Sequence, residues 1–421
     1  MQLLPMRSIA SLFILFIPLV VNATAGLDEK HAAALISWLQ ESGGFFHPNL
    51  EMRRVDRTDS NSRFGMFAKG PISHEETMLQ IPTEMILDSR EEEPVVLAAM
   101  MCGTVRNLIE QLKLKDDSKY APYVNYLLET QPPGQIPSAW SDAGKELLMK
   151  VLEGDSAGED SEYIVLPPSY PLTWVDEWVE TCNGSNDPLE IYAALMIIQR
   201  SWDDILIPVF DMMSHRNGDW TNTASNGLHK GEPAEVYASR DIEAGEEIYT
   251  TYNHCEDCGA RYTTYGTPEI LREYGFVEQV PQSWNFHELD IGFRMDRMYD
   301  ENGDELEDEY EITEWIFGEP DNDDIGELSL RYAQVVELGE TLLKERDENV
   351  PDREWNTIVD YVIAMELAIK IAIATALDEL GEEDDEEGDE EEGDDEDDDD
   401  DDWEEEEDED DEEEDQGNDE L

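Results

Sequence analysis

Two stretches of this 421-residue chain carry side chains able to ligate a metal. His254-Cys255-Glu256-Asp257-Cys258 sets a CxxC pair beside an imidazole, a donor set suited to zinc. Zinc asks for four ligands, and there is no second CxxC; the only other cysteines are Cys102 and Cys182. A disulfide framework therefore outranks a metal, with three connectivities open among Cys102, Cys182, Cys255 and Cys258. Asp300, Asn302, Asp304 and Glu311 fall at the ligand positions of a calcium loop, but Glu305 stands where its sharp turn needs glycine. Asn302-Gly303 is read instead as a hairpin turn between two acidic strands. No metal site is expected. Asn183-Gly184-Ser185 is a glycosylation sequon, which places Asn183 on a surface loop.

The elements that must position any site come from hydrophobic period. Residues 31–41 read as an amphipathic helix with Ala34, Leu35, Trp38 and Leu39 on one face. Strand patterns follow at Phe64–Ala68 and Met78–Ile81, separated by Gly70-Pro71. Helical periods dominate from about Glu91 to Ser201, including Leu147–Leu152 and Leu189–Ile198. Short strands return at Val236–Ser239 and Glu247–Tyr252. Beyond the acidic hairpin, helices are expected near 327–346 and 352–379. The second carries Ile358, Val362, Met365, Ile369 and Ile373 as a core stripe.

Charge and the two ends bound the class. Lys and Arg number 27 against 105 Asp and Glu, a formal charge of −78. Residues 381–421 hold 33 of the acids and no base, so 27 cations face 72 acids elsewhere and leave −45 on the rest. Such a field repels nucleic acid and attracts basic proteins. The acidic stretch buries too little apolar surface to fold and is expected to be disordered, with low-affinity calcium as a candidate ligand. Ile9–Val21 is apolar, Arg7 precedes it and Ala23-Thr24-Ala25 offers a cleavage pattern, so residues 1–25 read as a signal peptide. Asn418-Asp419-Glu420-Leu421 is a near relative of the endoplasmic reticulum retrieval signal. The expected location is that lumen, with no membrane span once the signal is removed.

Three separated segments carry a resemblance. They are Arg63-Phe64-Gly65-Met66-Phe67-Ala68 with Gly70-Pro71-Ile72; Ile207-Pro208-Val209-Phe210-Asp211-Met212-Met213-Ser214-His215; and Ala244-Gly245-Glu246-Glu247-Ile248 leading to Thr250-Thr251-Tyr252 and on to Tyr274-Gly275-Phe276-Val277. In this order they resemble the motifs of SET-domain protein methyltransferases. The long helical stretch between the first two, with Lys119-Tyr120-Ala121-Pro122-Tyr123, is similar to the branch of Rubisco large-subunit lysine and actin-histidine methyltransferases. The resemblance implies an α+β fold: a SET core of short β-sheets with pseudoknot-like threading, split into residues 26–90 and 206–280. A helical insert at 91–205, a helical C-terminal unit at 281–380 that binds substrate, and the tail at 381–421 complete it.

The resemblance further implies S-adenosylmethionine as cofactor, contacted by Ser62, Arg63, Phe64, Arg200, Asp211, Ser214, His215, Tyr274, Gly275 and Phe276. Tyr252 takes the place of the active-site tyrosine, and the acceptor is a lysine or histidine of a protein. Three positions depart from the pattern: Ser214 stands for asparagine, Arg63 for a common glycine, and Asn253 for the glycine after the tyrosine. Loss of the asparagine amide removes a buried hydrogen bond of about 1–3 kcal/mol. A reading from another class is a SET fold without catalysis, binding calcium or basic client proteins through its acidic surface.

Overall fold

The computed structural model describes residues 25–59, 62–89, 101–153, 166–167, 174–203, 205–228, 230–252, 265–287, 289–300 and 305–387. The signal segment before Ala25, the cluster from Asn253 to Cys258, the turn at 301–304 and the tail beyond Glu387 lie outside them.

Helix α1 (Ala25–Glu41) starts the chain. Its buried face is Ala32, Leu35 and Leu39, with Ile36 and Trp38 packed alongside. Ala34, expected on this face, is exposed, because one residue back from Leu35 is about 100° around the helix. Strands β1 (Phe45–Phe46), β2 (Leu50–Arg54), β3 (Phe64–Ala68) and β4 (Thr77–Ile81) follow. The stretch read as helical then supplies α2 (Cys102–Leu114), α3 (Ala121–Thr130), α4 (Asp142–Glu153), α5 (Trp174–Glu180) and α6 (Pro188–Arg200). Asp187 caps α6 by accepting from the Leu189 and Glu190 N–H groups, and Pro188 opens its first turn.

The second half of the core is made of very short strands: β5 (Ser201–Trp202), β6 (Ile205–Leu206), β7 (Ser214–His215), β8 (Thr223–Ser225), β9 (Ala234–Ala238) and β10 (Tyr249–Thr250). A four-stranded sheet runs β1-β4-β9-β8, while β2-β3, β5-β6 and β7-β10 are separate pairs. All are antiparallel except β7-β10, which is parallel and sets Ser214 opposite Tyr249 and Thr250 opposite His215. The strand expected over Glu247–Tyr252 is thus confined to two residues, with Glu247 bridged to Phe67 instead. Helix α7 (Thr267–Tyr274) leads out of the core.

The C-terminal part is not helical throughout. It opens with an antiparallel sheet of β11 (Gln282–Phe286), β12 (Ile291–Tyr299) and β13 (Glu305–Trp315). β12 and β13 are the two strands expected to flank the acidic hairpin turn. Helices α8 (Asn322–Lys344) and α9 (Asp352–Glu387) follow. Ile358, Val362, Met365 and Ile369 of α9 are fully buried and Ile373 packs at their margin, as the stripe predicts. None of the described helices is long and apolar enough to cross a membrane.

Apolar burial divides the helical insert. Residues of α2, α3, α5 and α6 pack with the short strands, whereas Leu148, Val151 and Leu152 of α4 pack with Trp284, Phe293, Tyr361 and Met365. Each fully buried large side chain contributes on the order of 1.5–3 kcal/mol. Helix α4 is therefore fastened to the C-terminal sheet and helices rather than to its neighbours in sequence.

Of the four cysteines, Cys102 and Cys182 are joined, tying the start of α2 to the residues just after α5 across 80 positions; Cys255 and Cys258 lie outside the described residues. Closing so long a loop restricts the unfolded chain by about 4 kcal/mol on the chain-entropy account. Cys102→Ser is expected to lower the stability of the full chain by about 2–4 kcal/mol in denaturant unfolding. Reductant should lower the wild type by a similar amount and leave the variant little changed.

Candidate functional site

The central motif turns on backbone that few side chains adopt. Val209 sits at φ +77°, a β-branched residue in the left-handed region, and the chain then makes a single 3₁₀ turn at Phe210–Met212. That turn directs Asp211 into the interior beneath the end of α6, where Arg200 Nη1 donates to the Asp211 carbonyl at 2.9 Å and lies 3.4 Å from its Oδ2. The hydroxyl of Tyr123 on α3 donates to the same Oδ2 at 2.6 Å. Asp211 Oδ1 is buried and accepts from nothing among the described residues. Burial pushes the Asp211 carboxyl up, with Arg200 and Tyr123 pulling the other way. Burial also disfavours the charge on Arg200, but Asp211 together with Tyr126, Tyr123 and Tyr252 outweighs it and the guanidinium is held protonated.

Tyr252 follows β10 and is placed by two bonds. Its hydroxyl donates to the Met213 carbonyl at 2.5 Å, and its backbone N–H donates to His215 Nδ1 at 3.0 Å. Because Nδ1 accepts, the imidazole proton is on Nε2, which donates to Glu278 Oε2 at 2.7 Å. Asn217 Nδ2 donates to the same oxygen at 3.0 Å and the Thr267 hydroxyl to Oε1. Ring centroids of Tyr252 and Tyr274 are 4.7 Å apart and those of His215 and Tyr252 5.0 Å, with Phe276 at the edge of the group. Burial pushes the Tyr252 hydroxyl up to about 12, against the pull of Arg200 and Arg63. It stays protonated at neutral pH and is no general base.

The remaining residues marked by the motifs make contacts of their own. Arg63 Nη1 bonds both the Ser214 hydroxyl and Glu247 Oε1, the latter at 2.6 Å. Phe64 packs edge-on to Tyr126 with the Arg54 guanidinium over its ring. Ser62 accepts from the Asp56 N–H and receives Arg54 at its carbonyl. Gly275 caps α7 at φ +76°, and a Cβ there would lie 2.0 Å from the Gln135 carbonyl oxygen, so close packing alone accounts for that glycine. Asn183 is exposed, at φ +51°, beside the Cys182 sulfur bridge.

Four residues that sequence reasoning gave no role are built into this arrangement. Glu278 holds His215; Tyr123 holds Asp211; Glu247 receives Arg63 and Ser214; and Asn222, fully buried, donates to the Glu247 carbonyl while accepting from the Tyr249 N–H. Glu247 stood inside a quoted motif and Tyr123 in the insert, yet a carboxylate among 105 gives no signal of burial. Among the described residues, no group of three or more His, Cys, Asp or Glu is placed to hold a metal ion.

Residues 63–253 match the family model of the SET domain. That stretch is read as a SET domain, and its mixed short sheets and helices are that fold. No curated protein matches it in sequence. Solved structures similar over most of their length include the SET domain of LSMT bound to lysine and AdoHcy, 14% identical, with a TM-score of 0.41 and coverage of 86% of this chain and 92% of that one. Rubisco LSMT bound to AdoMet is 14% identical, with a TM-score of 0.44 and coverage of 84% and 92%.

Helix α7, which carries the chain into Tyr274, holds a buried carboxyl that titrates near neutrality. Burial pushes Glu269 up to about 7, although its carboxylate accepts from the Gly266 N–H. The folded value exceeds the unfolded one, so the stability it contributes is whole below about pH 4.5 and is lost as pH rises to about 7. Glu269→Gln keeps the acceptor without the charge. Its stability advantage over wild type should grow between those pH values by on the order of 3 kcal/mol, read from urea unfolding at pH 5 and pH 8.

Proposed function

We propose that this chain transfers a methyl group from S-adenosylmethionine to a side-chain nitrogen, lysine or histidine, of a protein substrate. The observation that carries this reading is the buried group of Arg200, Asp211, His215, Tyr252 and Tyr274, with Asp211 Oδ1 left as a buried acceptor lacking a donor. A cationic amino group fits that acceptor, because a buried carboxylate oxygen without a partner is unfavourable until something donates to it. Arg200, Asp211, Ser214, His215, Tyr274 and Phe276 would hold the cofactor, with Ser62, Arg63, Phe64 and Gly275 beside them. When bound, the cofactor supplies an electrophilic methyl carbon on a sulfonium.

The chain's own part is alignment. The Tyr252 hydroxyl spends its proton on the Met213 carbonyl, so its oxygen lone pairs are free to orient an N–H of the acceptor. His215 fixes the Tyr252 backbone and Glu278 fixes His215, which together hold the hydroxyl in place. The acceptor nitrogen must be neutral to attack, and the buried, largely aromatic surroundings disfavour an ammonium there. The net charge of −45 outside the acidic tail draws substrates with a basic surface.

Calorimetric titration of S-adenosylmethionine into the full chain should show micromolar binding, reduced at least about tenfold by Arg200→Ala. Labelled methyl groups should pass to protein substrate and be found on lysine or histidine by mass spectrometry. Tyr252→Phe should cut this transfer by more than about tenfold while leaving cofactor binding within about threefold. Absence of binding by folded wild type would sink the enzyme and leave a binding protein for calcium or basic clients.

The Cys102–Cys182 bridge and the exposed sequon support work in an oxidising compartment, which we take to be the endoplasmic reticulum lumen. Expressed in a eukaryotic secretory pathway, the chain should carry one glycan on Asn183, removed by glycosidase and absent from Asn183→Gln. An unmodified Asn183 in chain with the bridge formed would count against the lumen.

A further inference from the structure

Three segments far apart in sequence meet at one carboxylate. Glu247 has a side chain only 8% exposed, and Arg63 Nη1, the Ser214 hydroxyl at 2.5 Å and the Tyr249 hydroxyl at 3.0 Å all bond it. Arg63 Nη1 also bonds Ser214 Oγ, so guanidinium, hydroxyl and carboxylate form a closed triangle. Gly65 is part of the same fit: a Cβ there would stand 2.6 Å from Glu247 Oε1 and 3.3 Å from Arg63 Nη1. Ser214 lies on β7 opposite Tyr249 on β10, so the triangle spans the one parallel strand pair, and the next residues along are His215 and the turn into Tyr252.

Size decides what position 214 can hold. The serine oxygen already touches the guanidinium, so a side chain longer by a carbon and an amide would have to push Arg63, whose side chain is 54% exposed, toward solvent. Displacing Arg63 would leave Glu247 buried without its counter-charge. Removing Arg63 while keeping serine has the same consequence, because the hydroxyl already gives its one proton to Glu247 and cannot fill the volume or replace the donor that is lost. An asparagine amide, however, can donate to Glu247 through the volume that the guanidinium vacates.

We propose that Arg63, Ser214 and Glu247 are one positioning unit, in which the serine is required by the arginine, and that this unit fixes β7 against β10 and so places His215 and Tyr252. Serine at 214 is then a matched partner and not a defect in the site. The binding consequence rests on the cofactor reading above; the coupling between the positions does not.

The test is a double-mutant cycle on the full chain, read by calorimetric titration of S-adenosylmethionine and by thermal unfolding. Ser214→Asn and Arg63→Ala should each weaken binding at least about tenfold and each lower the unfolding temperature. The double variant should bind more tightly and unfold higher than either single variant, while staying below wild type because the amide restores a donor to Glu247 and no charge. Arg63→Lys, which keeps the charge, should fall between wild type and Arg63→Ala in both readouts. Losses that simply add, or Ser214→Asn binding as tightly as wild type, would overturn the unit. If a single variant does not fold, a folded double variant supports the proposal and an unfolded one refutes it. If wild type binds no cofactor, the methyltransferase reading fails, while the unfolding temperatures still decide the coupling.

Discussion

Two guanidiniums neutralise two buried carboxylates near enough to Tyr252 to act on its hydroxyl, and the short strands that lead to it depend on such contacts for their register. Arg200 meets Asp211, and Arg63 meets Glu247. Strands of two residues such as β7 and β10 contribute few backbone bonds, so their alignment depends on side chains that reach across them. Asn222 does this with its amide, bonding the backbone on both sides of Ile248. Charges placed this deep stabilise one arrangement only while every partner is present, which makes them a means of specificity more than of net stability.

The pairs are tied to larger bodies that keep them in place. Arg200 ends α6, whose middle is buried against α2 and α5, and Tyr123 comes from α3, so the insert helices serve as the rigid backing of Asp211. The bridge between Cys102 and Cys182 closes the same group of helices at their far ends. On the other side Glu278 follows the aromatic turn and leads into β11, so the C-terminal sheet is connected to His215 through three residues of backbone and one carboxylate. Helix α4 packs with that sheet, which makes the insert a support for both cores.

Much of this was legible in advance, for identifiable reasons. Hydrophobic period is a local property, and it located α6, the stripe on α9 and strands β3 and β4 within a few residues. Where period was weak it misled: Ala34 was assigned to a buried face that Ala32 occupies, and the sheet of β11 to β13 was only half seen. β11 mixes Gln282, Ser283 and Asn285 with Trp284 and Phe286, and Gln282 and Asn285 are buried by neighbours that no local pattern announces.

The sequence by itself pointed to the segments that meet, because Tyr252, His215 and Asp211 sit in motifs whose order is readable along the chain. It also determined the acidic character of the chain, since charge is additive and needs no fold. Only the tertiary structure decided which carboxylates among so many are buried, and with whom. Arg63 and Glu247 are 184 positions apart and His215 and Glu278 are 63 apart, separations over which no spacing rule operates. Their pairing is a consequence of how the strands and helices close, and that is why Ser214 read as a loss in one dimension and as a fitted contact in three.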